Sequence, residues 1–121
     1  MGSDGMSANI WCWSPVLGLL ASSPNFVDKV AQLQESVPQP PAAIIVDFVG
    51  ALLKRYPELS KNQTNTAWAV GPLLRDANGQ FIDIGIQSDH YDDAGPFVVQ
   101  TAHQFGLSCY DPQNGRSYPA K

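Results

Sequence analysis

Basic residues are scarce in this chain. Seven Lys+Arg stand against eleven Asp+Glu, for a formal net charge of −4. So few cations argue against a binder of phosphate backbones. Long apolar runs are missing too. The longest, Ala42 to Leu53, contains Asp47 and falls well short of the roughly 20 residues of a membrane-spanning helix. No phosphate-cradling glycine loop is present, because Gly71-Pro72 and Gly95-Pro96 are isolated breakers. No basic segment leads into an apolar core at the N-terminus, so no secretory signal is read and a cytoplasmic location is expected. Cysteine is limited to Cys12 and Cys109.

What is there suffices for one domain. The chain has 121 residues, 44% of them apolar, and domains usually run to about 100–150 residues. A chain of this size buries about two thirds of its unfolded surface, so neither a disulfide nor a structural metal is required. Residues 1–5 read as a remnant of cloning, with Met6 the natural start. Residues 6–121 are then a single α+β domain.

Each cysteine sits in an apolar, strand-like run, Ile10 to Trp13 and Leu107 to Tyr110. The simplest reading is a pair of buried free thiols acting as small hydrophobes. A disulfide would require the two to meet in a sheet in an oxidising compartment.

Periodicity gives the elements. Asn9 to Trp13 reads as a strand ending at Ser14-Pro15. Ser23-Pro24 caps a helix that runs to about Ser36, with Phe26, Val30 and Leu33 at helical spacing. Prolines 38, 40 and 41 stiffen a linker. A second helix runs from about Pro41 to Arg55, with Ile44, Ile45, Phe48, Leu52 and Tyr56 on one face, and Pro57 ends it. Ala67 to Leu74 and Phe81 to Gln87 read as hairpin strands, with a glycine bulge expected at Gly79. Asp89 to Phe105 reads as a third helix, capped by Ser88 or Asp89. Pro96 either kinks it or forces a late start. Gly106 takes the left-handed position after that helix. Leu107 to Tyr110 is the last clear strand, and the tail from Arg116 either adds an edge strand or frays. The order predicts an antiparallel sheet of about four strands with two to three helices on one face, a split βαβ or ferredoxin-like arrangement.

The informative chemical feature is the placement of charge. From Asp76 through Gly115 there is no Lys or Arg, yet six Asp residues fall there: 76, 83, 89, 92, 93 and 111. The cations gather elsewhere, chiefly Lys54, Arg55 and Lys61. One sign of charge beside aromatic anchors suits a protein-binding surface and speeds encounter with a basic partner. The candidate surface is Trp68, Asp83, Asp89, Tyr91, Asp92 and Asp93. A plain solvated acidic face explains the same charges equally well. His90 with Asp92 and Asp93 lacks a recognised metal-ligand spacing. His103 and Cys109 form a second candidate pair for catalysis. Asp111-Pro112-Gln113 reads as turn chemistry before it reads as a site. The assignment therefore names no catalytic residue, metal, cofactor, nucleic acid or membrane.

Four segments carry a resemblance. They are residues 6–15 (Met-Ser-Ala-Asn-Ile-Trp-Cys-Trp-Ser-Pro), Asp47 to Pro57, Trp68 to Leu74, and His103 to Gln113. Together they resemble a family of small bacterial proteins, some of which are similar to immunity proteins encoded beside polymorphic or contact-dependent growth inhibition toxins. The most specific piece is Gly106-Leu-Ser-Cys-Tyr-Asp-Pro-Gln113. The resemblance implies a non-enzymatic, cytoplasmic immunity protein that neutralises a cognate toxin domain, and it supplies no site residues of its own. The rival readings are a small metal-assisted or thiol enzyme, and a homo-oligomer joined through an exposed edge strand.

Overall fold

The computed structural model describes residues 7–120, so the remnant expected at residues 1–5 lies outside them. Five strands form one antiparallel sheet: β1 Ser7–Trp13, β2 Ala77–Asn78, β3 Phe81–Gln87, β4 Ser108–Asp111 and β5 Arg116–Tyr118. Their order across the sheet is β2-β3-β1-β4-β5. Without β5 this is the split βαβ order expected from the sequence. The tail resolves as an edge strand on β4, giving five strands rather than four.

Alternation along β1 sorts the two faces. Ile10 and Cys12 belong to the main core with Ile82, Ile84 and Ile86 of β3, and Ala8 is buried at the same alternate positions of β1. Helix α2 (Ala43–Arg55) lays Ile45, Phe48, Val49 and Leu52 on this face, and helix α3 (Tyr91–Gln104) adds Ala94, Val98 and Ala102. Both sets recur every three or four residues, as one helical stripe must.

Two helices thus share a face, within the two to three expected, and helix α1 (Phe26–Glu35) is the third. It packs on the reverse of the sheet, where Phe26 and Val30 cluster with Trp13 and Phe81. Phe26 lies 5.3 Å from Trp13, 4.9 Å from Tyr110 and 6.0 Å from Trp11 between ring centroids. Trp11 stacks on Tyr110 at 5.6 Å. The aromatic residues of β1 thus require their own cover, and α1 is short and amphipathic enough to supply it. It begins at Phe26 with Asn25 at the cap and no side-chain capping bond, two residues later than Ser23-Pro24 predicts.

The hairpin before β3 departs most from expectation. Ala77 pairs with Ile82 and Asn78 with Phe81, so Gly79-Gln80 is the two-residue turn and no bulge forms at Gly79. Gly79 has φ +57° while Gln80 does not enter the left-handed region, the pattern of a glycine-first hairpin turn. Ala67 to Leu74 is not a continuous strand. Ala67 to Ala69 lie against β3 through Gln87 N–H to Ala67 O at 2.7 Å and Ala69 N–H to Gly85 O at 2.9 Å, and Trp68 bridges to Ile86. The chain then loops out and makes a 3-10 turn at Leu73–Asp76.

Helix α3 begins at Tyr91, after a 3-10 turn at Ser88–His90, and carries Pro96 within it. Its exit is a Schellman motif. Leu107 N–H reaches Ala102 O at 2.9 Å, Gly106 N–H reaches His103 O at 3.0 Å, and Gly106 has φ +73°. Cys12 and Cys109 are free, buried and directly opposed across β1 and β4, with sulfurs 3.4 Å apart.

Ile84 stands at 0% exposure between the sheet and the two core helices. Ile84→Ala is expected to cost about 2–5 kcal/mol. Val27, 54% exposed on α1, should lose less than about 0.5 kcal/mol as Val27→Ala. Urea midpoints of the two variants check this.

Candidate functional site

The acidic surface is built where β3 hands the chain to α3. The N-cap of α3 is His90, and no side chain caps the helix, so neither Ser88 nor Asp89 serves the role expected of it. Asp89, Asp92 and Asp93 are all exposed there. Asp92 and Asp93 occupy the first turn, where the unpaired N–H groups favour a negative charge by about 0.3–1 kcal/mol each. Tyr91 is half-buried beside them. Its ring lies across Gly95, where a Cβ would sit 3.3 Å from the ring carbons. A glycine inside the helix therefore lets the tyrosine fold down against its own backbone.

Trp68 does not belong to this surface. It is fully buried, and its indole N–H donates to the Tyr56 carbonyl at 2.8 Å. Tyr56, just past the end of α2, is the hub that joins the core to the α3 start. Its ring meets Trp68 at 5.6 Å, Phe97 at 5.9 Å and His90 at 6.5 Å. Arg55 lies over the rings of Phe97, at 4.9 Å, and Tyr56, at 5.4 Å. The chain therefore brings a cation onto Phe97, which follows Asp93 by four residues on α3, although the sequence places Arg55 far from the acidic stretch. The rim of the acidic surface is Arg55, Tyr56 and Phe97. Pro57 ends α2 at that point, which was the available signal for it.

Asp83 is also separate. Ile82, Ile84 and Ile86 face the core, so Asp83 faces the other side of the sheet, opposite Trp11 in the register. The sheet stands between Asp83 and α3. Its carboxylate accepts from Asn9 Nδ2 at 2.8 Å and Gln34 Nε2 at 3.3 Å. Burial raises its pKa, and the negative charge of Asp76 adds to the rise; the bonds from Asn9, Trp11 and Gln34 oppose it without cancelling it. Asp83 borders a cavity of about 290 Å³ with Gln34, Arg75, Asp76, Asn78 and Phe81.

The remaining candidates have structural work to do. Asp111 is fully buried, and its Oδ1 accepts from the Gln113 N–H at 2.9 Å and from Gln113 Nε2 at 2.5 Å, while its Oδ2 has no partner among the described residues. Gln113 reaches β1. It accepts from the Asn9 N–H at 2.7 Å and donates to the Asn9 carbonyl at 2.8 Å. Its side-chain amide thereby continues the β1·β4 ladder beyond the point where Pro112 removes a donor. The segment from Gly106 to Gln113 is thus spent on a helix exit, a strand and a side-chain extension of the sheet. His103 Nε2 bonds the Tyr118 carbonyl at 3.2 Å, whereas the Cys109 sulfur contacts Cys12. The two are not arranged as a nucleophile and its base. Among the described residues no three His, Cys, Asp or Glu side chains converge to hold a metal ion, and no helix is long and apolar enough to cross a membrane.

Comparison with protein-family models, with curated proteins and with solved structures finds no match for this chain.

Two substitutions check the placement of these residues. Trp68→Phe keeps an aromatic ring but leaves the Tyr56 carbonyl without its donor, and should lower stability by about 1–3 kcal/mol in denaturant titration. Asp83 is more readily protonated folded than unfolded. Its contribution is present below the ordinary aspartate value of about 3.9 and is lost as pH rises above it. The stability of the native protein relative to Asp83→Asn should therefore fall as pH is raised through the weakly acidic range, in unfolding curves taken at successive pH values.

Proposed function

We propose that this chain is a cytoplasmic immunity protein that binds and neutralises a basic, nuclease-like bacterial toxin domain through the start of α3. The observation that carries the reading is the set of exposed carboxylates Asp89, Asp92 and Asp93 at the positive end of that helix. They lie in a 76–115 stretch with no Lys or Arg. Such a surface presents negative charge where a nuclease site expects phosphate, and it steers a basic partner into contact. The resemblance to immunity proteins supports the same class. Tyr91 and Phe97 supply half-buried aromatic area at its edge, and Arg55 gives the rim a cation that would fix orientation. Trp68 and Asp83 are not part of the proposed interface. Homo-oligomerisation and enzyme chemistry draw no comparable support from the geometry.

The test is association kinetics with any toxin-like C-terminal domain that the genes flanking this one encode. Asp92→Lys together with Asp93→Lys should slow association by about tenfold or more at low salt and flatten its dependence on ionic strength. Trp68→Phe should leave the association rate unchanged. An unaltered rate in the double charge reversal removes the α3 start from the interface.

A further inference from the structure

Cys12 and Cys109 stand opposite one another in the register of β1 and β4, at the centre of the sheet. Directly opposed residues of antiparallel strands have Cα atoms about 4.5–5.5 Å apart. That lies inside the span of about 4.4–6.8 Å that a disulfide accepts. The two sulfurs are already 3.4 Å apart and make a thiol–thiol contact. Both side chains therefore point at each other, and closing them requires rotation of side chains rather than movement of strands. No other cysteine exists in the chain to compete.

We infer that Cys12 and Cys109 form a reversible cross-strand disulfide when the protein meets a peroxide. The balance is simple. A thiolate attacks the peroxide O–O bond, giving a sulfenic acid and hydroxide. The second thiol then displaces water from that sulfenic acid. Two S–H bonds and one O–O bond break, one S–S bond forms, the sulfurs lose two electrons to the peroxide, and two waters leave. A dithiol reductant reverses the step by exchange.

Access sets the rate. Both residues are at 0% exposure. The Cys12 thiol is pushed well above its ordinary range, first by burial and then by Cys109, so its thiolate is rare. Reaction must pass through local opening of the sheet. β4 is the weak side, because it has four residues and is backed only by the three-residue β5. A cavity of about 150 Å³ bordered by Trp13, Ser108, Cys109 and Ser117 also reaches this strand. A peroxide is small enough to use such openings, whereas a tripeptide disulfide requires β4 to peel away. Once formed, the bond encloses nearly the whole described chain in one loop, which restricts the unfolded state more than a short loop would.

The experiment uses the full wild-type chain, incubated with hydrogen peroxide and then unfolded in the presence of an alkylating agent. Intact mass, peptide mapping and thermal melting are read. The expected result is a monomer lighter by two hydrogens, with the Cys12 and Cys109 peptides joined, no thiol left to alkylate, and a melting temperature raised by about 10 °C. Dithiothreitol should reverse all of it. The single variant Cys109→Ala should lack the linked peptide and the melting shift. Accumulation of sulfinic acid without a linked peptide, a disulfide between two chains, or two thiols still free after prolonged peroxide treatment would each overturn the inference.

Discussion

Strand β1 is hydrogen-bonded along both edges, and that constraint places everything else. Its partners β3 and β4 are consecutive strands joined through α3, so the sheet closes only when the C-terminal third returns to flank residues 7–13 on both sides. The strand then has two faces to bury. Ala8, Ile10 and Cys12 demand the cover that α2 and α3 provide, while Trp11 and Trp13 demand a second cover, which is α1. A central strand with tryptophan on its outer face cannot leave that face to solvent without losing the burial of two large rings. The three-helix arrangement follows from seven residues.

The same strand explains why the Gly106 to Gln113 segment is so particular in its residues. The Schellman exit at Gly106 turns the chain back from α3, Cys109 meets Cys12, Tyr110 stacks on Trp11, and Gln113 pairs with Asn9. Cys109, Tyr110 and Gln113 each answer a residue of β1. The segment is therefore explained by the fold, and the chemistry of recognition has to be sought elsewhere. The exposed carboxylates at the start of α3 are free of these duties. Their neighbours Tyr56, Phe97 and Arg55 tie that start to the end of α2 through ring and cation–ring contacts.

Much of this was legible in the residues. Phe26, Val30 and Leu33 marked α1, the apolar stripe of α2 and the stop at Pro57 marked its end, and Gly106 marked the exit of α3. The α+β class and the strand order followed from their sequence of types. The failures have physical causes. Ala67 to Leu74 alternates like a strand, but Gly71-Pro72 interrupts it, and only Ala67 to Ala69 lie along β3. The turn shifted to Gly79-Gln80 because that left glycine in the one position with positive φ. Which face α1 would cover depends on packing between distant segments, and no local pattern reports it. Of the surface residues, Asp83 was separable in principle. Inward Ile82, Ile84 and Ile86 already put it on the far face, away from a helix that packs on the isoleucines. Trp68 was not, because its burial depends on Tyr56 closing over it from α2. Sequence distance hides the contact between α2 and α3 that brings Arg55 onto Phe97.

The most direct test of the proposed role is co-expression of this chain with any toxin-like C-terminal domain that its flanking genes encode, scored by growth and by the mass of the purified complex. The account predicts restored growth and a stable one-to-one complex whose formation weakens as salt is raised. Full toxicity with no complex at low salt would contradict it.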